Sequence, residues 1–349
     1  MTKENVSYPQ KEKMTNVSLI RFISTILIFV FHVLFATTLI AHQYFPFRFA
    51  VQIFLFISGF LYAGKIIKDL KSFYSRNFVK ILVPVLIMIF IYFSIFGVLS
   101  ACGVVGSLRQ MLENGGLFAT LGHLWFVFAI LLCYLLTPMI QYCARFFVDK
   151  EEGLKKNKAV WFLVLICVFS IINIVLGFFW AQMVLLAYIA GYFFRKIYPK
   201  ILNNKKSFIV ISLLCFLIFS ALFYVVSNHI LLSEELRFGI KEFLVFFVGV
   251  SFSVFLLLAL EFLNNRPTKL DKFLNHTDYY SYPFYLCHHV FLVGQGGLIM
   301  IGLTKWLWVD IFLVFLASLV FSIIVGMLSK KLVPHVNKIG KFLKSDKNN

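Results

Sequence analysis

Long apolar runs separated by short polar links make up most of the chain. Ten of them have about the 20 mostly apolar residues that a helix needs to cross a hydrocarbon layer of about 30 Å. They cover residues 17–40, 46–64, 80–101, 121–141, 159–178, 179–195, 207–227, 240–262, 279–300 and 306–328. The pattern predicts an all-α fold, a polytopic membrane helix bundle of about ten transmembrane helices. A single domain over 17–328 would lie between a polar tail over 1–16 and a basic tail over 329–349.

The composition agrees with this pattern. Of 349 residues, 61% are hydrophobic and 14% charged, whereas soluble proteins have about 45–50% apolar and about 25% charged residues. A soluble enzyme is therefore excluded. The six cysteines show no CxxC pair and no metal-ligand spacing, so we expect small core side chains with no disulfide framework and no metal site.

The net charge of +18 is explained by orientation. If the N-terminus is cytoplasmic, 28 of the 33 Lys and Arg fall on the inner side. The five outer ones are Arg48, Arg109, Arg237, Lys241 and Lys305. This asymmetry predicts that both termini are cytoplasmic and that the inner charges face anionic membrane lipid. Nucleic acid is not an expected partner, because its binding needs basic residues on one folded face.

Two ionisable residues lie within the first predicted span. Arg21 and His32 are eleven residues apart, which places them on one helix face about 16 Å from each other. A guanidinium near the inner surface can grip phosphate with two hydrogen bonds, and a deeper neutral imidazole can act as a general base. Alternatively, Arg21 extends to lipid phosphates and His32 bonds a neighbouring helix. The spacing leaves both interpretations open.

The ninth span carries a second group of polar residues. Ser281, Tyr285 and His288 follow at i, i+4 and i+7 and so form one polar stripe. His289 points about 100° away from His288. Adjacent histidines on a helix do not share one ion, and neither has a His or carboxylate at i+4, so no metal is predicted.

Other polar positions lie at the ends of spans. At the outer end of the fourth, His123 precedes Trp125, for which an interfacial anchor is the ordinary interpretation. Ser58 and Gly59, late in the second, indicate either close helix packing or a cavity where a substrate approaches the backbone.

Five motifs in this order resemble those of acyltransferase family 3, integral membrane enzymes that move acyl groups, usually acetyl, onto cell-surface sugars. The resemblance extends over residues 17–328. The motifs are Arg21 and His32 separated by ten residues, FLFISGFL at 54–61, RNFVKILVP at 76–84, HLWF at 123–126 with Pro138 later in the same span, and a Ser281-Tyr282-x-x-Tyr285-Leu286-x-His288 pattern.

The resemblance implies roles for individual residues. His32 would be the catalytic residue and Arg21 its essential partner, while Arg76 and Lys80 would contact the phosphates of the acyl donor. Further candidates for donor or acceptor binding are Ser58, His123, Trp125, Ser281, Tyr285 and His288. The chain departs from the family in two places. No acidic residue precedes Arg21 by two or three positions, and Lys80 lacks the guanidinium fork of the usual second Arg.

The expected function is a multi-pass acyltransferase of the cell membrane. It would transfer an acetyl group from cytosolic acyl-CoA, a cosubstrate rather than a bound cofactor, to a hydroxyl of a surface or exported polysaccharide or glycoconjugate. A transporter or flippase would also place polar residues at mid-membrane, and a structural partner of an export complex is a third interpretation. The sequence predicts neither the acceptor sugar nor the oligomeric state, and both direct transfer and an acyl-histidine relay remain open.

Overall fold

The computed structural model describes residues 14–36, 48–103, 122–151, 154–175, 179–228, 233–265, 269–292 and 304–345. All regular structure in these ranges is helical, which confirms the predicted all-α class. The described α-helices are α1 (Thr15–Ala36), α2 (Phe49–Ala63), α3 (Leu70–Ala101), α4 (Trp125–Phe147), α5 (Lys156–Val175), α6 (Phe179–Leu202), α7 (Lys205–Asn228), α8 (Glu234–Ala259), α9 (Lys269–Leu292) and α10 (Leu307–Ser345). Short 3₁₀ helices cover Gly122–Leu124 and Glu261–Asn265.

The helices follow the order of the predicted spans, but several are longer. Helix α3 begins in the basic segment before the predicted span, because the Asp69 carboxylate accepts hydrogen bonds from the backbone N–H groups of Lys71 and Ser72 at 3.1 and 3.0 Å. Helix α9 also begins before its predicted span. Helix α10 continues through the predicted basic tail to Ser345. Most of the polar tail predicted over 1–16 lies outside the described residues.

Six helices within the described ranges are long and apolar enough to cross a membrane: α1, α3, α4 with the preceding 3₁₀ turn, α7, α8 and α10. In α7 only 11% of the most apolar window is buried inside the protein. A helix this apolar and this exposed needs lipid around it, and the chain is therefore a multi-pass membrane protein. Ten crossings and cytoplasmic termini stay predictions.

Contacts divide the chain into two units, of which the first comprises Met1–Ser24, Pro46–Lys68 and Leu136–Asn275. In this unit the helices α2 and α6 cross with their backbones in contact. A Cβ added to Gly59 would collide with the carbonyl oxygen of Tyr188, and one added to Gly191 would collide with that of Phe56. The two glycines therefore let the backbones touch, as small residues do in membrane helix pairs.

The second unit comprises Thr25–Phe45, Asp69–Leu135 and His276–Asn349. Three tyrosines of α9, namely Tyr279, Tyr282 and Tyr285, each donate a hydrogen bond to the backbone of a different element. The acceptors are, in order, the carbonyl oxygens of Gly326 in α10, Ile81 in α3 and His123 in the 3₁₀ turn before α4, at 2.9, 3.1 and 2.6 Å. These bonds fix the height and rotation of α9 among its neighbours.

Candidate active site

Four histidines from three elements of the second unit form one cluster. His32 comes from α1, His123 from the 3₁₀ turn, and His288 and His289 from α9. His123, His288 and His289 are buried and His32 is half-buried. Of the predicted site residues, the structure thus brings together His32, His123 and His288, with Tyr285 against them.

His32 and His288 are joined by a hydrogen-bonding contact between their rings. Their ring centroids lie 4.9 Å apart, and Nδ1 of His32 lies 3.1 Å from Nε2 of His288. The same Nδ1 lies 2.9 Å from the carbonyl oxygen of Ile28. A carbonyl oxygen only accepts hydrogen bonds, so in neutral His32 the proton is on Nδ1 and the lone pair is on Nε2.

The tautomer of His288 follows from a backbone contact of the same kind. Its Nδ1 lies 3.2 Å from the carbonyl oxygen of Phe284 one turn earlier in α9, which places its proton on Nδ1. Nε2 of His288 is then a second acceptor for the Nδ1–H of His32, which is shared with the Ile28 carbonyl oxygen. Protons are thus donated from His32 to His288 and from His288 to the Phe284 carbonyl oxygen. The unprotonated nitrogen of His32 is Nε2. Such a nitrogen can act as a general base or as a nucleophile.

His123 and Tyr285 support the cluster from the side. Nε2 of His123 bonds the carbonyl oxygen of Leu286 at 2.9 Å, while the Tyr285 hydroxyl donates back to the His123 carbonyl at 2.6 Å. The 3₁₀ turn and α9 are therefore joined by reciprocal hydrogen bonds.

Sequence reasoning missed His289. Its ring stacks on His123 with centroids 4.4 Å apart and meets the ring of His32 at 5.1 Å. On α9 alone it points away from His288, but His32 and His123 each contact both rings. The membership of His289 in the cluster becomes visible only when α1, the 3₁₀ turn and α9 are packed together. The adjacent histidines of the sequence were the available signal.

The four rings do not form a metal site. Within the described ranges, no three His, Cys, Asp or Glu side chains are placed to hold one metal ion. The rings of His123 and His289 stack at 23° instead of turning their nitrogens to a shared point. Hydrogen bonding and ring packing are what this arrangement provides.

Two other predicted residues of the second unit lie beside the cluster's helices. The hydroxyl of buried Ser281 donates to the carbonyl oxygen of Asp278 at 2.9 Å, within its own helix. Trp125 is half-buried at the start of α4 and meets Phe126 edge-on, with centroids 6.2 Å apart. Phe126 in turn packs on Tyr285 at 4.9 Å.

The predicted donor-binding cations of this unit lie on α3. Arg76 and Lys80 are both exposed and stand one helical turn apart, because α3 begins at Leu70. They form a short basic face on the first turns of the helix. The sequence placed both in or beside a loop, whereas the structure holds them on a rigid element.

Arg21 and Ser58 belong to the first unit. The guanidinium of half-buried Arg21 lies over the ring of Phe54 at 5.5 Å, and the Ser58 hydroxyl donates to the Phe54 carbonyl at 2.9 Å. A second arginine of this unit, Arg195 in α6, lies over Phe60 at 4.7 Å. The sequence had counted Arg195 only as an inner charge.

Comparison with known proteins identifies the family. No curated protein and no solved structure matches the chain. A family model described as an acyltransferase domain matches residues 14–330, nearly the whole chain, and this range includes every histidine of the cluster and both cations of α3. The motifs and the match agree, and the chain belongs to acyltransferase family 3.

Proposed function

We propose that this membrane acyltransferase moves an acetyl group from cytosolic acyl-CoA to a hydroxyl of a cell-surface or exported polysaccharide or glycoconjugate, at the cell membrane. The observation that carries the proposal is the hydrogen bonding of His32. Its Nδ1–H is held by Ile28 and His288, which leaves Nε2 as a basic nitrogen in an apolar bundle. This is the atom that proton removal from a sugar hydroxyl requires.

The donor would be bound by cations at the inner end of the bundle. Arg76 and Lys80 are exposed on one side of α3, and two positive charges one turn apart suit the pyrophosphate and phosphate groups of CoA. Arg21 would supply a further guanidinium eleven residues before His32 on α1, which is about three turns or 16 Å along the helix. This separation leaves room for a pantetheine arm between phosphates and thioester.

The proposed reaction uses the unprotonated Nε2 of His32 as its base. Nε2 takes the proton of the acceptor hydroxyl as its oxygen attacks the thioester carbonyl. The C–S bond breaks, and the leaving thiolate takes the proton back from Nε2, so the products are the ester and free CoA. In a relay variant Nε2 itself attacks the thioester first and passes the acyl group on. Both routes need the same lone pair.

Tyr285 acts in this scheme through His123. Its hydroxyl hydrogen is donated to the His123 carbonyl, so we assign it to holding the 3₁₀ turn and its histidine beside the reacting groups. His123 and His289, stacked on each other, form a wall beside the rings of His288 and His32. Acceptor orientation is the role we propose for this wall.

The test is the His32→Ala variant expressed in the native host. We expect acetylation of the surface glycan to be lost, because the base contributes about 10²- to 10⁴-fold to such reactions, while the protein still inserts at normal levels. His276→Ala is the matched control, since His276 lies on α9 and packs on Tyr280 away from the described cluster contacts. Normal glycan acetylation by His32→Ala would refute the proposal.

A further inference from the structure

We propose that His288 is a positioning residue whose neutral imidazole orients the catalytic His32. In Ser-His-Asp sites a carboxylate has this role. The inference rests on the proposed role of His32 and adds a partner that sets its tautomer and orientation. Its basis is the N–H···N contact of 3.1 Å between Nδ1 of His32 and Nε2 of His288.

The direction of this hydrogen bond is fixed at both ends. Ile28 offers a carbonyl oxygen to Nδ1 of His32 at 2.9 Å, so this nitrogen bears the proton. Phe284 offers a carbonyl oxygen to Nδ1 of His288 at 3.2 Å, so Nε2 of His288 has the lone pair. His288 is therefore the second acceptor of this proton, beside the Ile28 carbonyl, and its own backbone contact favours the tautomer that accepts.

No carboxylate takes this role in the described part of the chain. The hydrogen bonds of the two rings there go to each other and to the backbone, including the carbonyl oxygens of Ile28 and Phe284. In a Ser-His-Asp site the carboxylate orients the imidazole and stabilises the imidazolium that forms during reaction. Here the orienting group is an uncharged ring.

The position of His288 is well defined by packing. Its side chain is 1% exposed. One face stacks on Phe284 with an interplanar angle of 10°, and Phe29 meets the ring edge-on with centroids 6.3 Å apart. Rotation away from His32 would break this packing, so the acceptor nitrogen stays aimed at Nδ1.

The consequence for the reaction concerns the imidazolium. When Nε2 of His32 takes the hydroxyl proton, the ring becomes a cation whose Nδ1–H bond to His288 strengthens. A neutral acceptor stabilises this cation less than a carboxylate does, so the proton is readily given up to the leaving thiolate. The proton that enters at Nε2 leaves from Nε2, and the one on Nδ1 stays in its hydrogen bond.

Two variants of His288 test this role by activity. His288→Phe keeps a buried ring but offers no acceptor. We expect kcat to fall about 10- to 100-fold, by analogy with the loss of partners that orient metal-bound histidines, with an unchanged KM for acetyl-CoA. His288→Gln restores an acceptor oxygen and should recover most of kcat. His276→Phe on the same helix is the control. Equal loss in the Phe and Gln variants would overturn the proposal.

A spectroscopic measurement separates this inference from the proposed function. NMR of the full-length protein with isotope-labelled histidine nitrogens should show His32 protonated on Nδ1, with a scalar coupling across the N–H···N bond that vanishes in His288→Phe. A proton on Nε2 of His32, or no coupling in the wild-type protein, would overturn the role of His288 whatever the transfer rate. If the coupling is present and acetyl transfer is absent, the proposed function fails and the hydrogen bond stands.

Discussion

Tyr285 and His288 belong to one motif but act differently. His288 contacts the proposed base, whereas Tyr285 bonds the backbone of His123. Its neighbour Tyr282 bonds the backbone of α3. The hydrogen bonds of the two tyrosines thus position α9, whereas His288 contacts His32, the base that we propose.

Removing the Tyr285 hydroxyl tests its structural role. Tyr285→Phe should lower the free energy of unfolding by about 1 kcal/mol, the usual net value of one hydrogen bond, and lower acetyl transfer several-fold because His123 loses its anchor. Thermal unfolding in detergent and a transfer assay measure the two effects. A variant with unchanged stability but no activity would contradict this role and make the hydroxyl itself part of the reaction.

The cations of α3 have a kinetic prediction. Arg76→Ala should raise the KM for acyl-CoA about fivefold, as expected for the loss of about 1 kcal/mol of charge–phosphate attraction, with little change in kcat. The effect should shrink at high salt. Lys71→Ala is the control, because Lys71 is exposed on the first turn of the same helix. Equal KM values for the two variants would argue against donor binding at Arg76.

The motifs selected residues whose proximity can be read in the structure, while their roles stay predictions. Arg21, His32 and His288 were selected by spacing, and the histidines meet as a cluster. His289 and the aromatic partner of Arg195 depend on residues far away in sequence. The hydroxyls of Ser58 and Ser281 bond their own helices, a common alternative for serine in apolar helices that spacing does not reveal.

Helices were predicted better than their ends. Apolar runs report the thickness of the hydrocarbon layer, but a helix continues until its backbone is capped. Asp69 caps α3 well before the apolar run starts, and α10 continues beyond it through basic residues. Hydropathy therefore located the elements and missed the polar first turns of α3, which carry Arg76; Lys80 was the first residue of the predicted span.

The crossing of α2 and α6 gives a prediction at the scale of elements. Gly59→Ala should destabilise the protein by about 1–3 kcal/mol, the usual effect of overpacking, because the new methyl group would collide with the Tyr188 carbonyl. Gly239→Ala in α8 is the control: a Cβ there meets nothing within 4 Å, so stability should stay the same or rise by up to about 1 kcal/mol. Thermal unfolding in detergent measures both. Equal stability of the two variants would contradict the close crossing.

At the scale of the whole molecule, charge asymmetry predicts the orientation in the membrane. In a background without cysteines, Lys305→Cys should react with a membrane-impermeant maleimide in intact cells. Lys331→Cys, exposed on α10, should react only after permeabilisation, because segments rich in Lys and Arg lie on the cytoplasmic side of membrane proteins. Labelling of Lys331→Cys in intact cells would contradict the predicted cytoplasmic C-terminus.

The family match and the histidine cluster meet in one claim, that acetyl transfer from acyl-CoA depends on His32. The most direct measurement uses purified protein, radiolabelled acetyl-CoA and the host's surface glycan, with His32→Ala and His276→Ala beside the wild-type protein. We predict label in the glycan and release of CoA for the wild-type protein and His276→Ala, and neither for His32→Ala. Transfer by His32→Ala at the wild-type rate would contradict the account.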